Sequence, residues 1–304
     1  MNAATRLSLF ATGAVLAFAG AYGVSAVVAP DDVAAQVDEE TAMKGHTATG
    51  ITSPGSGVLG LSLSADGFVL GPVTAPTTVG RAGELRFQIL TSAGEPLTAF
   101  MESHEKDLHL ITVRSDGSRF RHVHPVLDAA SGTWSMPWEW DAAGTYRVYA
   151  DFVPDVADAP AKVVLTRTVD VAGDVTPVPV TGPKAGDEVD GFDVALDGDL
   201  VAGASSELTV TVTRDGEPAT ALQPYLGAFG HLVALRHGDL AYLHVHAEGD
   251  EPEAGDTSGP SISFMAEPPT TGLYLLYLDF QVDGKVHTAE FVVDAHAPEG
   301  TTHD

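Results

Sequence analysis

The chain repeats itself. Gly94-Glu95-Pro96 recurs as Gly216-Glu217-Pro218, His109-Leu110 as His231-Leu232, Arg114 as Arg236, and His122-Val123-His124 as His244-Val245-His246, all at a shift of 122 residues. Glu84-Leu85 recurs as Glu207-Leu208, and the run Gly144 to Phe152 (GTYRVYADF) recurs as Gly272 to Phe280 (GLYLLYLDF). A period this long is the duplication of a whole domain rather than of a single hairpin, so the 304 residues divide into two units of ordinary size.

Within each copy the segments are short and β-branched, bounded by Gly, Pro or Asp about every ten residues, without helical periodicity. This pattern predicts an all-β fold of two tandem immunoglobulin-like β-sandwich domains, residues 57–173 and 188–294, following an N-terminal transmembrane or signal helix. A Pro-rich linker, 174–187, holds Pro177, Pro179 and Pro183 between them, and 295–304 reads as a polar tail. The stretch Asp141 to Val148 resembles an immunoglobulin tyrosine corner, with Tyr146 as the tyrosine and Val148 where an antibody domain carries its second cysteine; Tyr274 is its counterpart. Domains of about 110 residues bury enough surface to fold without that disulfide.

The amino terminus sets the compartment. Arg6 precedes Leu7–Ala29, a stretch without one charge, followed by Pro30, Asp31 and Asp32. That length spans a bilayer as a helix, and Val24-Ser25-Ala26 also offers small residues for cleavage, so residues 1–30 are expected to be a signal anchor or a signal peptide. The basic residue before the stretch and the acidic excess after it place the body of the chain outside the cell membrane, as a single-pass protein with extracytoplasmic domains or as a secreted one. Residues 31–56 read as a flexible linker in which Met43 and His46 are solvated.

Charge removes one class of partner. Fifteen Lys and Arg against 42 Asp and Glu give a formal charge of -27, a field that repels phosphate backbones and draws cations, so no nucleic acid is expected to bind. With no cysteine, metal chemistry falls to imidazole, carboxylate and thioether, which directs attention to the twelve histidines.

Seven of those histidines are candidate metal ligands. A hairpin turn at Asp116-Gly117 sets His109 opposite His124 and Ile111 opposite His122, so the three imidazoles share one face within reach of a common ion. A turn at Gly238-Asp239 likewise sets His231 opposite His246 and Val233 opposite His244. Nearer each turn the same face carries Val113 with Phe120 and Leu235 with Tyr242, which predicts apolar core at one end and imidazoles at the mouth. His104 is the expected fourth ligand of the first site, near Met101, Glu102 and Glu105. The second copy has Leu226 there, leaving His287 as a substitute. His237, His296 and His303 are expected in solvent, Trp134, Trp138 and Trp140 in core or rim packing, and Asp151 and Asp279 as turn caps.

The segment His104-Glu105-Lys106-Asp107-Leu108-His109-Leu110, with Arg121-His122-Val123-His124-Pro125, Gly132-Thr133-Trp134 and Gly144 to Phe152, resembles exported bacterial immunoglobulin-like proteins related to YtkA-like and CopC-like modules. The resemblance covers nearly all of the first domain; the second resembles a degenerate copy with Ala247 in place of Pro125. It implies copper or heavy-metal handling outside the cytoplasm, although the amino-terminal histidine that begins mature CopC-like copper sites is not evident. The expected function is a membrane-tethered or secreted metal-binding protein that takes a copper ion, with zinc as the alternative, through His104, His109, His122, His124, His231, His244 and His246. The competing reading is a non-metal interaction or structural module that docks an envelope protein. No Gly-x-Ser-x-Gly elbow, His-Glu-x-x-His helix or phosphate loop argues for an enzyme.

Overall fold

Strict alternation of apolar and polar residues builds the sheets: in Phe192–Asp197, for example, Phe192, Val194 and Leu196 are buried while Asp193, Ala195 and Asp197 are exposed. A computed structural model describes residues 59–157, 160–243, 245–253 and 255–298. The expected membrane segment, the linker after it, and His46, His244 and His303 lie outside the described residues. Among the described residues every regular element is a strand, and no helix is long and apolar enough to cross a membrane.

The first half contains β1 (Ser64–Ala65), β2 (Phe68–Leu70), β3 (Gly83–Thr91), β4 (Phe100–Met101), β5 (Leu108–Arg114), β6 (Arg121–Val123), β7 (Val126–Asp128), β8 (Thr133–Trp138), β9 (Gly144–Pro154) and β10 (Val163–Val171). One sheet runs β1-β2-β3-β8-β7 and the other β10-β9-β5-β6, with β4 on β9. The second half contains β11 (Gly186–Val189), β12 (Phe192–Asp197), β13 (Leu200–Val201), β14 (Ser206–Arg214), β15 (Glu217–Pro218), β16 (His231–Arg236), β17 (Tyr242–Leu243), β18 (Val245–Ala247), β19 (Ser261–Ala266), β20 (Gly272–Val282) and β21 (Lys285–His296). Its sheets run β11-β12-β14-β19-β18, with β15 on β14, and β13-β21-β20-β16-β17. β11 begins inside the stretch expected to be linker, and β21 extends two residues into the expected polar tail, where Ala295 is buried and pairs with Leu200.

Each pair of sheets encloses its own core. Leu85, Phe87, Leu110, Trp134, Trp140, Val148 and Phe152 fill the first; Val194, Leu208, Val210, Leu232, Phe264, Leu276 and Phe280 fill the second. Trp134, Trp138 and Trp140 are all buried, and the Tyr146 hydroxyl donates to the Ala142 carbonyl at 2.9 Å, as Tyr274 does to Thr270 at 3.0 Å. Both expected corners are therefore formed, four residues back along the chain in each half.

A third apolar cluster lies between the halves. On β5 the residues Leu108 and Leu110 point into the first core, whereas Ile111 and Val113 point the other way. On β16, Leu232 and Ala234 point into the second core and Val233 and Leu235 outward. The two outward faces meet, with Tyr149, Val164, Leu240, Tyr242, Leu275 and Tyr277 completing the contact. The hydroxyl of Tyr149 donates to the Leu240 carbonyl at 2.6 Å, and that of Tyr277 to the Gly117 carbonyl, so each half's tyrosine caps the other half's hairpin. Phe120 stacks on Tyr277 at 4.1 Å and 4°. Gly117 (φ +84°) is required here, because a Cβ would stand 2.3 Å from Leu275 Cδ1. The histidine face was expected to run into the sandwich's own core; it is instead the outer face of that sheet, buried by the other half.

Candidate metal centre

The β5–β6 register is the expected one, with Ile111 opposite His122 and Leu110 opposite Val123, but the turn that sets it differs. Gly117 N–H bonds to Arg114 O at 2.8 Å and Arg114 N–H to Ser118 O at 2.9 Å, a loop one residue longer than the two-residue Asp-Gly turn. Arg119, at φ 61°, absorbs the extra residue and restores the parity. Asp116 locks the tip, accepting from Arg114 Nε at 3.0 Å and from the Val178 N–H at 2.8 Å. Burial pushes its carboxyl up, but the hydrogen bonds from Arg114, Val178 and Ser118 hold it well below the carboxylate range.

Three nitrogens converge beneath this hairpin. His109 Nδ1 lies 3.0 Å from His122 Nε2 and 3.2 Å from His124 Nε2. The other ring nitrogens decide the tautomers. His109 Nε2 stands 2.9 Å from the Ser103 carbonyl, which only accepts, so the proton is on Nε2 and Nδ1 presents a lone pair. His122 Nδ1 stands 2.9 Å from the Asp279 carboxylate, so Nδ1 carries a proton, and in the neutral ring Nε2 presents a lone pair. With His122 neutral, two lone pairs face each other at hydrogen-bond distance. His124 Nε2–H supplies one proton to His109 Nδ1 in the absence of an ion and, carrying its proton on Nδ1 instead, would present a third lone pair.

Protonation is disfavoured at His109 and His124. Burial, then the neighbouring His122, lowers His109 to about 4; burial, His122 and His109 lower His124 to about 3. His109 and His124 are therefore neutral at pH 7, the form that binds metals. Ligands at 2.0–2.1 Å around a tetrahedral ion stand about 3.3 Å apart, close to the 3.0 and 3.2 Å already present. The three ligand atoms of His109, His122 and His124 all lie within 4.8 Å of one another.

The second half contributes to this one cluster. The His231 ring stacks on His109 at 5.5 Å and 7° and lies 4.8 Å from His122. Burial, His122 and His109 push its imidazole well below the usual range. Register explains the arrangement: His109 is opposite Asp151 across β5–β9, and His231 is opposite Asp279 across β16–β20. Each aspartate serves the other half. Asp279 receives His122 Nδ1–H on one oxygen and the Thr288 hydroxyl, at 2.6 Å, on the other. Asp151 receives the Tyr242 hydroxyl at 3.0 Å and Lys162 Nζ at 3.0 Å, and although burial raises it, Lys162 draws it down on balance.

Two expected ligands stand elsewhere. β18 leaves β16 and pairs with β19, Val245 opposite Ala266 and His246 opposite Met265, so His246 is exposed rather than set against His231. An independent second cluster is thereby replaced by a single cluster shared between the halves; His244 lies outside the described residues. His104 sits in a tight turn closed by Ser103 N–H to Lys106 O at 2.9 Å, with φ 50° followed by 62° at Glu105. Its ring is 6.1 Å from His109 and 5.4 Å from His231, at the solvent edge rather than among the three convergent nitrogens. Leu226 keeps the same left-handed turn in the second half, buried. His287 is remote from the cluster in its bonding: Nδ1 pairs with Asp190 Oδ2 at 2.8 Å and the ring packs on Phe192 and Phe280. His237 and His296 are exposed as expected. Asp279, read as a turn cap, is the partner that sequence reasoning missed. Its signal is the aligned pairing of HL with YADF in one copy and HL with YLDF in the other.

Comparison with known proteins identifies the family. The chain is similar over 73% of its length to the surface layer protein SbsC, domains 1–6 (11% identity, 24% of that chain, TM-score 0.25). It is similar over 79% to Salmonella alpha-2-macroglobulin (16% identity, 15% of that chain, TM-score 0.26) and over 78% to the Yersinia pseudotuberculosis adhesin InvE (13% identity, 60% of that chain, TM-score 0.22). The chain spans less than two thirds of each of these structures. No curated protein matches it. A profile described as "Domain of unknown function (DUF8832)" matches twice, over residues 64–170 and 187–297, one match on each half of the repeat. The chain belongs to the DUF8832 family and carries its domain in duplicate.

Proposed function

We propose that this protein is an extracytoplasmic metal-binding protein, made of two immunoglobulin-like sandwiches over residues 57–173 and 188–294, that holds one copper or zinc ion between them. The carrying observation is the convergence of His109 Nδ1, His122 Nε2 and His124 Nε2, with the far nitrogens His109 Nε2 and His122 Nδ1 donating to Ser103 O and Asp279. An imidazole held by a carboxylate on its far nitrogen is the usual outer support of a metal ligand. His231 closes the cluster from the second half, and the tyrosine corners at Tyr146 and Tyr274 support the immunoglobulin-like reading. The resemblance to copper-associated exported modules favours copper, and the all-imidazole donor set suits copper or zinc alike. The uncharged stretch Leu7–Ala29 supports export, tethered or secreted. Binding rather than catalysis is the proposed role.

The tautomers of an apo hydrogen-bond network would also serve a purely structural cluster, in which case the protein is an envelope interaction module and the histidines are its framework. Equilibrium dialysis of the metal-free full-length chain against Cu(II) and Zn(II), with metal counted by mass spectrometry, separates the two. One ion per chain that the His109→Ala/His124→Ala variant no longer takes supports the metal reading. No ion, or an ion the variant keeps, overturns it.

A further inference from the structure

Two of the three convergent imidazoles are shut away from solvent, His109 being 4% exposed and the His122 side chain 0%, while His124 is half-buried. Ser103 O covers one side and Asp279 with Thr288 the other. An ion needs a way in, and the rings mark one. From His109 the stacked His231 ring lies 5.5 Å away, from His231 the His104 ring lies 5.4 Å away, and His104 is exposed. His104 and His231 line an open groove of about 620 Å³ together with His246, Glu248, Asp250 and Glu251. The groove exists because β18 departs from β16 to join β19, which opens the sheet edge beside His231 and brings His246 into the groove's lining. Glu251 lies over the Tyr225–Ala228 turn, its Oε1 3.4 Å from where a Gly227 Cβ would be, and its charge acts on His104 more weakly than the opposing charge of Lys162.

Resting on the metal-binding reading above, we infer that this groove is the loading port of the buried site: a first station formed by His104 and His246 under Glu251 captures a transition-metal ion and passes it by way of His231 to His109, His122 and His124. The transfer is ligand exchange. Each step breaks one metal–nitrogen bond as another forms, the ion keeps its charge, no proton leaves the His109 or His122 nitrogens that hold Ser103 and Asp279, and half-buried His124 releases its Nε2 proton to water and takes one at Nδ1 as Nε2 binds the ion. A wall with three carboxylates focuses cations at the mouth, which raises capture rates by about 10- to 1,000-fold in favourable cases.

The consequence is kinetic. A port residue changes loading and release together and leaves the equilibrium alone, whereas a ligand of the final site changes the equilibrium. The test delivers Cu(II) and Zn(II) to the metal-free full-length chain from a chromophoric chelator in a stopped-flow instrument and recovers them into excess chelator. The His104→Asn/His246→Asn variant, with Asn chosen because it tolerates the left-handed backbone at position 104, is expected to load and release about tenfold more slowly, with Kd within about threefold of the parent. The surface variant Glu248→Gln/Glu251→Gln, which leaves every imidazole in place, is expected to slow loading and to flatten its dependence on salt. Unchanged rates in both variants, or a Kd shifted as far as by His109→Ala, would overturn the port. Failure of the parent chain to take either metal would instead remove the metal site itself, and the port with it.

Discussion

Asp279→Asn replaces one carboxylate oxygen with an amide NH₂ and bears on the whole arrangement of the site. The carboxylate sits 3% exposed between His122 Nδ1–H at 2.9 Å and the Thr288 hydroxyl at 2.6 Å, accepting from both. An amide has one accepting oxygen. Turned toward His122, it keeps the imidazole proton on Nδ1 and sets its NH₂ on the Thr288 oxygen, which can accept, so the geometry survives with a neutral bond where a charge-assisted one stood. Turned the other way, it drives the His122 proton to Nε2 and removes a metal ligand outright. Loss of such a supporting partner costs 10- to 100-fold in metal affinity, or about 1.4 to 2.7 kcal/mol. The metal-free protein should lose about 1 to 2 kcal/mol, the difference between charged and neutral hydrogen bonds. Competition titration with a chelator of known affinity measures the first and urea unfolding the second. Affinity unchanged within about threefold, in a variant that folds, would refute the idea that Asp279 fixes the His122 tautomer for an ion.

Other perturbations follow from the same geometry. His109 protonates near pH 4 in the fold and near 6.5 when unfolded. The unfolded chain therefore binds more protons in that window, and stability is full above about pH 6.5 and falls as pH drops toward 4, by roughly 3 kcal/mol from this residue. Urea unfolding of metal-free protein at pH 7.5, 5.5 and 4.5 should show that slope, and the His109→Ala/His124→Ala variant should show less of it; equal slopes would count against the buried neutral imidazoles. Tyr149→Phe removes a bond across the halves and should cost about 1 kcal/mol in urea unfolding. An unaltered midpoint would contradict the cross-capping. Leu235→Ala, fully buried on the face between the halves, should cost about 2 to 5 kcal/mol, whereas a surface-like loss under 1 kcal/mol would mean the halves do not pack through it.

Much of this was legible from residues alone. The 122-residue repeat, the all-β class, the two tyrosine corners and the β5–β6 register could all be read, the last through two deviations at Gly117 and Arg119 that cancel. The choice of face was not. Alternation separates His109, Ile111 and Val113 from Leu108 and Leu110 without saying which set looks into the sandwich. Yet β5 and β9 are apolar on both faces, a pattern typical of sheets covered on both sides, and that signal points to the packing of one half on the other. The second cluster dissolved for a related reason. The register of Leu235 with Tyr242 holds at the turn, but the strand crosses to the other sheet before His246, and periodicity carries no mark of a strand that changes sheets. Asp279 escaped because a carboxylate near a strand end suggests a turn when its partner lies 157 positions away.

In the proposed function His109, His122 and His124 hold one ion between the halves. Calorimetric titration of the metal-free full-length chain with Cu(II), then Zn(II), beside the His109→Ala/His124→Ala variant, tests it most directly. Tight binding of at least one metal at one equivalent, absent from the variant, is the expected result. Heat that is missing from the parent, or present equally in the variant, would contradict it and leave the imidazoles as framework.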